Sequence, residues 1–443
     1  MVSLFQYETE VLFMTLRTAP AWARGLARGE ADAELAPLYP GEADFRRNYL
    51  EALDAFSAAF GAERPVLLAS APGRTELGGN HTDHQRGRVL AAAVSLDMVA
   101  AVSPRGDLRA RVRSKGMPDV DIDLSLLTPE KAEQGSSAAL VRGVAAGVAK
   151  LGGKIGGFDA ALVSRIPVGA GLSSSAAYEI LIGTVLNALC NGGSLAPVQL
   201  ARVGHAAENV YFNKPCGMMD QTACAEGGVV AIDFFDPEKP LVEKIACDFR
   251  ALGYRLFITN AGGSHADLTD EYAAIPREMR AIASLLGAEH LRFADERAFY
   301  DELPRLRRTA GDRAILRAMH FFDENRRAKR EAEALKAGNI REFASLMRES
   351  GASSELLLQN IYPGDRGQER GVALALAASQ KLLEKSAGAW RVHGGGFAGT
   401  IQALVPEALA DEYMETMNAW MNDAHACRPV SIRPVGGYAL RGG

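Results

Sequence analysis

Pro167-Val168-Gly169-Ala170-Gly171-Leu172-Ser173-Ser174-Ser175-Ala176-Ala177 is the stretch on which the fold assignment rests. Its glycines let backbone N–H groups approach an anion. The apolar segment that follows it predicts a helix from about Ala176 to Cys190, whose first N–H groups lie unpaired at the positive end of the dipole. Three serines add hydroxyl donors and oxygen ligands for a cation such as Mg²⁺. A plain N-cap with a flexible turn accounts for one serine and one glycine. Two glycines and three serines in one loop favour phosphate binding, with Phe158–Ser164 reading as the strand before it.

Upstream, a β-like run at Val66–Ser70 leads into Pro72-Gly-Arg74-Thr-Glu-Leu-Gly78-Gly79-Asn80-His81-Thr82-Asp83-His84-Gln85. This polar cluster is expected at a strand end, where open sheets bind ligands. Asn80, His81 and Asp83 offer the donors and acceptors a polyol requires. As a zinc site the cluster lacks a distant fourth ligand. Turn chemistry also explains Asn and Asp, but it gives Arg74 no task. Downstream, Glu208-Asn-Val-Tyr-Phe-Asn-Lys-Pro-Cys-Gly217-Met-Met-Asp220-Gln221 carries two acids. Asp220, beside Met218 and Met219, is either a partly buried carboxylate needing a partner or an ordinary aspartate opening a helix. The last segment, His393-Gly-Gly-Gly-Phe-Ala-Gly399, marks either close backbone approach to a ligand or a tight strand connection. It contains a GxGxxG pattern, but Thr400–Val405 after it reads as a strand, so it is no dinucleotide fingerprint.

Around these motifs, strands are expected at Met98–Ser103, Leu108–Ser114, Asp119–Leu124, Val229–Asp233, Tyr254–Thr259 and Ala389–His393. Helices are expected at Asp44–Gly61, Ala138–Leu151, Ala196–Tyr211, His265–Leu286, Arg326–Ala337 and Gly367–Lys385. This irregular order predicts an α+β protein: a lead-in over 1–40, an N-terminal domain over 41–250 and a C-terminal domain over 251–443. Of the 443 residues, 48% are apolar and 23% charged, and the net charge is −5, which leaves no basic surface for nucleic acid. The five cysteines are odd in number and lack CxxC spacing, as in a reduced, cytoplasmic protein. No apolar run reaches the ~18 residues of a membrane span, and the N-terminal stretch lacks a signal peptide's basic n-region.

In this order the four segments resemble the galactokinase branch of the GHMP small-molecule kinases. The resemblance runs from about residue 66 to 405 and implies a two-domain α+β fold with the active site in the interdomain cleft. It implies ATP as co-substrate with Mg²⁺, a small sugar as acceptor, and a monomer or weak dimer. By position, Asp220 resembles the carboxylate that takes the proton from the sugar's anomeric hydroxyl, and Arg74 its cationic neighbour. Glu208 is similar to the family's Mg²⁺-binding glutamate, with Ser174 or Ser175 beside it. Asn80, His81, Asp83, Gly217 and Tyr272 resemble sugar-contacting positions; Gly169, Ala170, Gly171, Leu172, Ser173, Ser174 and Ser175 resemble the cradle of the ATP phosphates.

The sequence departs from that pattern at Asn80, where the family usually has glutamate, and at His84, where it has tyrosine. Asparagine carries no charge and would tolerate a 6-carboxylate, so galacturonate or another galactose derivative is the alternative to galactose as acceptor. A non-catalytic sugar and ATP sensor is the alternative of another class. The intact Ser173–Ala177 run, with Arg74 and Asp220 both present, favours the enzyme. Mevalonate- or homoserine-type kinases would not be expected to carry the Asn-His-Thr-Asp cluster.

Overall fold

A computed structural model of the chain describes residues 16–167, 171–263, 268–362, 364 and 370–441. Gly169, Ala170 and the expected start of the helix at His265 lie outside them. The strands are β1 (Arg17–Thr18), β2 (Pro65–Gly78), β3 (Arg88–Pro104), β4 (Arg109–Ser114), β5 (Val120–Asp123), β6 (Phe158–Ser164), β7 (Val229–Asp233), β8 (Leu241–Ile245), β9 (Tyr254–Asn260), β10 (Ala389–Val392), β11 (Thr400–Pro406), β12 (Cys427–Val430) and β13 (Tyr438–Ala439). The helices that matter here are α1 (Ala19–Ala27), α2 (Arg47–Phe60), α3 (Ser137–Lys150), α4 (Ser174–Asn191), α5 (Pro197–Ala206), α6 (Met219–Glu226), α7 (Thr269–Leu285), α8 (Asp312–Lys336), α9 (Ile340–Ser353), α10 (Gly371–Leu383) and α11 (Ala410–Trp420).

Among the described residues the strands form two sheets. One runs β1-β2-β3-β6-β4-β5, with β13 also on β2, and with β7 on β3 carrying β8; the other runs β10-β11-β9-β12. Pairing is antiparallel apart from the parallel β4–β6 ladder. The 17-residue β3 gives its second half to β6 and its first half to β7. One face of the large sheet packs on α3 and α4, through Val144, Val148, Ile180 and Leu181. The opposite face packs on α1 and α2, through Trp22, Tyr49 and Phe56.

Burial on both faces explains two departures from the sequence reading. Val89–Val94 is apolar without alternation, so period-two patterning finds only the later part of β3. Likewise β2 does not stop at Ser70 but runs through Arg74 and Glu76 to Gly78, with register shifts at Pro72/Arg74 and Glu76/Gly78. The first half of the polar cluster therefore lies within a strand, and the bulges aim its charged side chains out of the ladder. The expected lead-in is also corrected. From Arg17 onward it is folded, and Trp22, Leu26, Leu35, Leu38 and Tyr39 enter the core beneath β2. These apolar residues are divided among short helical pieces over Ala19–Ala27, Asp32–Leu35 and Ala36–Leu38 and the residue after them, so no single window shows a helical period.

The two halves of the chain are stitched by apolar and polar contacts. One core cluster joins Leu77 and Leu90 to Phe249, Leu335, Phe343 and Leu404. Beside it lies a fully buried polar network. Glu324 on α8 accepts hydrogen bonds from the backbone N–H of Gly79 (3.0 Å) and Asn80 (3.2 Å) and from the Ser350 hydroxyl (2.6 Å), and pairs with Arg327. His320 Nε2 donates to the Asn80 carbonyl at 2.9 Å, and Arg391 on β10 pairs with Glu76 on β2 at 2.6 Å.

Burial alone would raise the Glu324 carboxyl, but His320, Arg327, Arg391 and the Ser350 hydroxyl bring it from 4.5 down to about 2. A depressed folded-state carboxyl contributes stability above its unfolded value of 4.5 and loses it as pH falls toward 2. Glu324→Gln should therefore cost about 3 kcal/mol at pH 7, with the gap to wild type closing between pH 4.5 and 2. Urea unfolding at pH 7, 5 and 3 measures it; a constant gap would assign the loss to packing instead.

Candidate active site

Arg74 points from the bulged part of β2 at Asp220, the second residue of α6. Its Nε and Nη2 donate to the two carboxylate oxygens at 2.7 Å each, a planar fork on a planar acceptor. The third nitrogen, Nη1, donates to the Gly171 carbonyl, and the Arg74 N–H to that of Leu172 at 3.1 Å. One arginine thus docks the glycine-serine loop on β2 and fixes the acid. A Cβ on Gly73 would lie 2.8 Å from the Leu172 oxygen, so the loop can approach only a glycine there.

Ser173 caps α4 in a left-handed conformation (φ 55°), unusual for a residue with a side chain. Its hydroxyl donates to Asp220 Oδ2. The acid therefore adjoins the start of α4, where the first N–H groups have no carbonyl one turn back. Burial pushes the Asp220 carboxyl up, but Arg74 and the Ser173 hydroxyl more than offset it and hold it below the usual aspartate range. Asp220 is thus neither a plain helix-opening residue nor unpartnered.

Glu208 sits where α5 widens into a single π-turn over Ala207–Tyr211, a distortion often found at functional positions. Its carboxylate is nearly fully buried. Oε1 accepts from the Ser175 hydroxyl (2.9 Å) and Lys214 Nζ (2.8 Å), and Oε2 from Gln221 Nε2 (2.8 Å) and the Cys216 thiol (3.2 Å). Ser175, rather than Ser174, is the serine that meets Glu208. Lys214, Cys216 and Gln221 carried no role in the sequence reading, although all three lie inside the segment that holds Glu208 and Asp220.

The sugar-motif residues divide. Asp83 and Gly217 are brought together: a Cβ on Gly217 would lie 1.8 Å from Asp83 Oδ2, so a side chain there would displace the Asp83 carboxylate. His81, also left-handed (φ 58°), has Nε2 3.0 Å from the Gly395 carbonyl. A carbonyl can only accept, so Nε2 carries the proton. Burial and the neighbouring His84 push the ring down to about 4, which leaves it neutral with Nδ1 as an acceptor at physiological pH. Tyr272 lies on the first turn of α7. Its hydroxyl donates to the Gly396 carbonyl at 2.8 Å and its ring meets Phe397 edge-on at 5.4 Å.

Asn80, expected to face the sugar, has a side chain that is fully buried and engaged at both ends of the carboxamide. Nδ2 donates to Glu76 Oε1 (2.9 Å) and the Gly394 carbonyl (2.7 Å), and Oδ1 accepts from Asn360 Nδ2 at 2.8 Å. The carbonyls of the glycine-rich segment before β11 hold Asn80, His81 and Tyr272. Glu76, Arg391, Asn360 and Glu324 were missed, because they are scattered from β2 to β10 and no local pattern gathers them.

This geometry has close counterparts. The galactokinase galactose-binding signature matches residues 54–104, and the GHMP kinases N terminal domain matches residues 139–228. The chain is 33% identical to a galactokinase of Streptomyces coelicolor over 363 residues, covering 80% of this chain and 88% of that one. It is also 33% identical to the galactokinase of Homo sapiens over 374 residues, covering 82% and 90%. The crystal structure of Lactococcus lactis galactokinase complexed with galactose superposes with a TM-score of 0.75 at 24% identity, covering 88% of this chain and all of that one. Methanococcus jannaschii mevalonate kinase shares the fold at a TM-score of 0.57 and 16% identity. A clamped acid beside a helix start, in a chain a third identical to galactokinases over four-fifths of its length, places this protein in the galactokinase family of GHMP kinases.

Proposed function

We propose that this protein transfers the γ-phosphoryl group of ATP to the C1 hydroxyl of galactose. The observation that carries the reading is the two-point hold of Arg74 on Asp220 beside the start of α4. The C1 oxygen attacks the γ-phosphorus, the bond to the β-phosphate oxygen breaks, ADP leaves, and the hydroxyl proton passes to Asp220. A carboxylate held below its usual range is a weak base. In a loose phosphoryl transition state the hydroxyl sheds its proton only as the new P–O bond forms, so being ionised and in place matters more than basicity. Arg74 keeps Asp220 ionised and places positive charge beside the transferring group. The residues from Gly171 to Ser175 supply helix-start N–H groups and hydroxyls for the phosphates, while His81, Asp83 and Gly217 shape the sugar side.

The donor set suits Mg²⁺. Glu208 and Ser175 are hard oxygen ligands 2.9 Å apart, and the Lys214 ammonium already rests on Glu208 Oε1 where a cation would neutralise it. Among the described residues no cluster of three acidic, histidine or cysteine side chains could hold a metal by itself. That fits an ion shared with substrate phosphates rather than one caged by protein. When bound, Mg²⁺ would neutralise phosphate charge. The chain's own part is to hold Glu208 and Ser175 in register.

Galactose is favoured over galacturonate. Tolerance of a 6-carboxylate was argued from Asn80, and the buried, engaged Asn80 carboxamide does not support that argument. The intact Arg74–Asp220–Ser173 arrangement likewise favours an enzyme over a sensor. Among the described residues no helix is long and apolar enough to cross a membrane.

Side-by-side kcat/KM for galactose, N-acetylgalactosamine and galacturonate should rank galactose first, and a clear galacturonate preference would overturn the assignment. Asp220→Ala should lower sugar-dependent ADP release by about 10²–10⁴-fold, and retention of activity would sink the mechanism. Arg74→Ala should reduce kcat more than it changes the KM for ATP. Without the guanidinium, burial dominates and the Asp220 carboxyl rises, so the acid limb of the pH–rate profile should move to higher pH. An unmoved limb would reduce Arg74 to a structural partner.

A further inference from the structure

Glu179 lies on the second turn of α4, four residues after Ser175 and on the same helix face. Its neighbours Ala176, Ala177, Ile180, Leu181 and Ile182 are all core residues, and Glu179 itself is 1% exposed. A carboxyl group in that setting is costly unless something uses it. Its Oε2 accepts from Gln221 Nε2 at 3.0 Å, and the same nitrogen donates to Glu208 Oε2 at 2.8 Å. Glu208 Oε1 in turn accepts from Ser175, which closes the circuit back on α4. Glu208 is therefore gripped by one helix at both oxygens, directly by Ser175 and through Gln221 by Glu179.

We propose that Glu179 is a positioning residue for the metal-binding carboxylate, acting on Glu208 through Gln221. The inference rests on the reading of Glu208 as the Mg²⁺ ligand. A nitrogen against the Glu208 carboxylate must be the NH₂ end of the carboxamide, because the oxygen end would be repelled by that acid. Glu179 gives the same nitrogen its second acceptor and so fixes where the NH₂ group stands against Glu208. Without it, the carboxamide is anchored by Glu208 alone, and the acid loses the support that keeps it in register with Ser175. Gly204 on α5 leaves the room: a Cβ there would lie 3.0 Å from Glu179 Oε2 and 3.2 Å from Gln221 Cγ. Burial and the nearby Glu208 push the Glu179 carboxyl well up, so it orders Gln221 without adding a second negative charge.

The test compares full-length wild type with Glu179→Leu, Glu179→Gln, Gln221→Leu and Glu208→Gln. Two measurements are made: Mn²⁺ affinity in the presence of ADP by electron paramagnetic resonance, and galactose affinity without metal by calorimetry. Glu179→Leu and Gln221→Leu should each weaken Mn²⁺ binding about tenfold or more, with galactose affinity unchanged. Glu179→Gln keeps an acceptor oxygen and should stay near wild type. Gln221→Leu carries the test if Glu179→Leu does not fold. Loss of thermal stability with unchanged Mn²⁺ affinity in both leucine variants would overturn the proposal and leave Glu179 a structural stitch between α4 and α6. If Glu208→Gln also leaves Mn²⁺ affinity unchanged, the metal reading falls and takes the proposal with it. If only Glu208→Gln weakens binding, the proposal fails and the metal reading stands.

Discussion

Arg74 spends all three of its guanidinium nitrogens on two targets, the Asp220 carboxylate and the Gly171 carbonyl. Everything else in the site is arranged around that one side chain. It ties β2 to α6, 146 residues further along the chain, and to the loop that opens α4. A lysine could neutralise Asp220 but could not hold both oxygens and a carbonyl in one plane. The bulges in β2 are what turn Arg74 toward α6. The glycine at position 73 is what lets the loop come close enough for its carbonyls to be reached.

The acids of the site illustrate how one fold keeps carboxyl groups in different states. Asp220 is held ionised by a guanidinium and a hydroxyl. Glu179 is pushed toward its neutral form by burial, with only a carboxamide for a partner. Glu324, just as buried as Glu179, is drawn the other way because cations and donors surround it. Loss of solvation raises all three, and the partner decides the charge. Separating the states in this way lets Asp220 and Glu179 stand near the same helix start without mutual repulsion taking the site apart.

How much of this was legible in the sequence depends on whether a residue's partners are near it in the chain. The loop from Gly171 to Ser175, the pair Glu208 and Asp220, and Arg74 sit in dense local motifs, so their meeting could be anticipated. The strands Phe158–Ser164 and Val229–Asp233 were read to the residue, since their apolar runs end at clear turns. The first half of β3 was invisible because a sheet covered on both faces does not alternate. The folded part of the lead-in escaped because its apolar residues are divided between short helices. Glu179 lies inside a helix read only as apolar, and nothing around it in sequence names Gln221 as its partner.

Asn80 shows the opposite hazard, a residue whose motif was recognised and whose surroundings were not. Its place beside His81 and Asp83 invites a role in sugar contact. The deciding neighbours are Glu76 on the same strand, Asn360 from the far half of the chain and the Gly394 carbonyl, which together engage both ends of the carboxamide. A glutamate at position 80 would face the Glu76 carboxyl and the Gly394 carbonyl, two acceptors, with no N–H of its own to give them. The exchange to asparagine is therefore explained within the protein: position 80 needs a group that donates on one side and accepts on the other. On the proposed reading, discrimination between sugars then falls to groups still able to meet a ligand, the Nδ1 of a neutral His81 and the Asp83 carboxylate against Gly217. Both are held in place by backbone that Asn80 helps to fix.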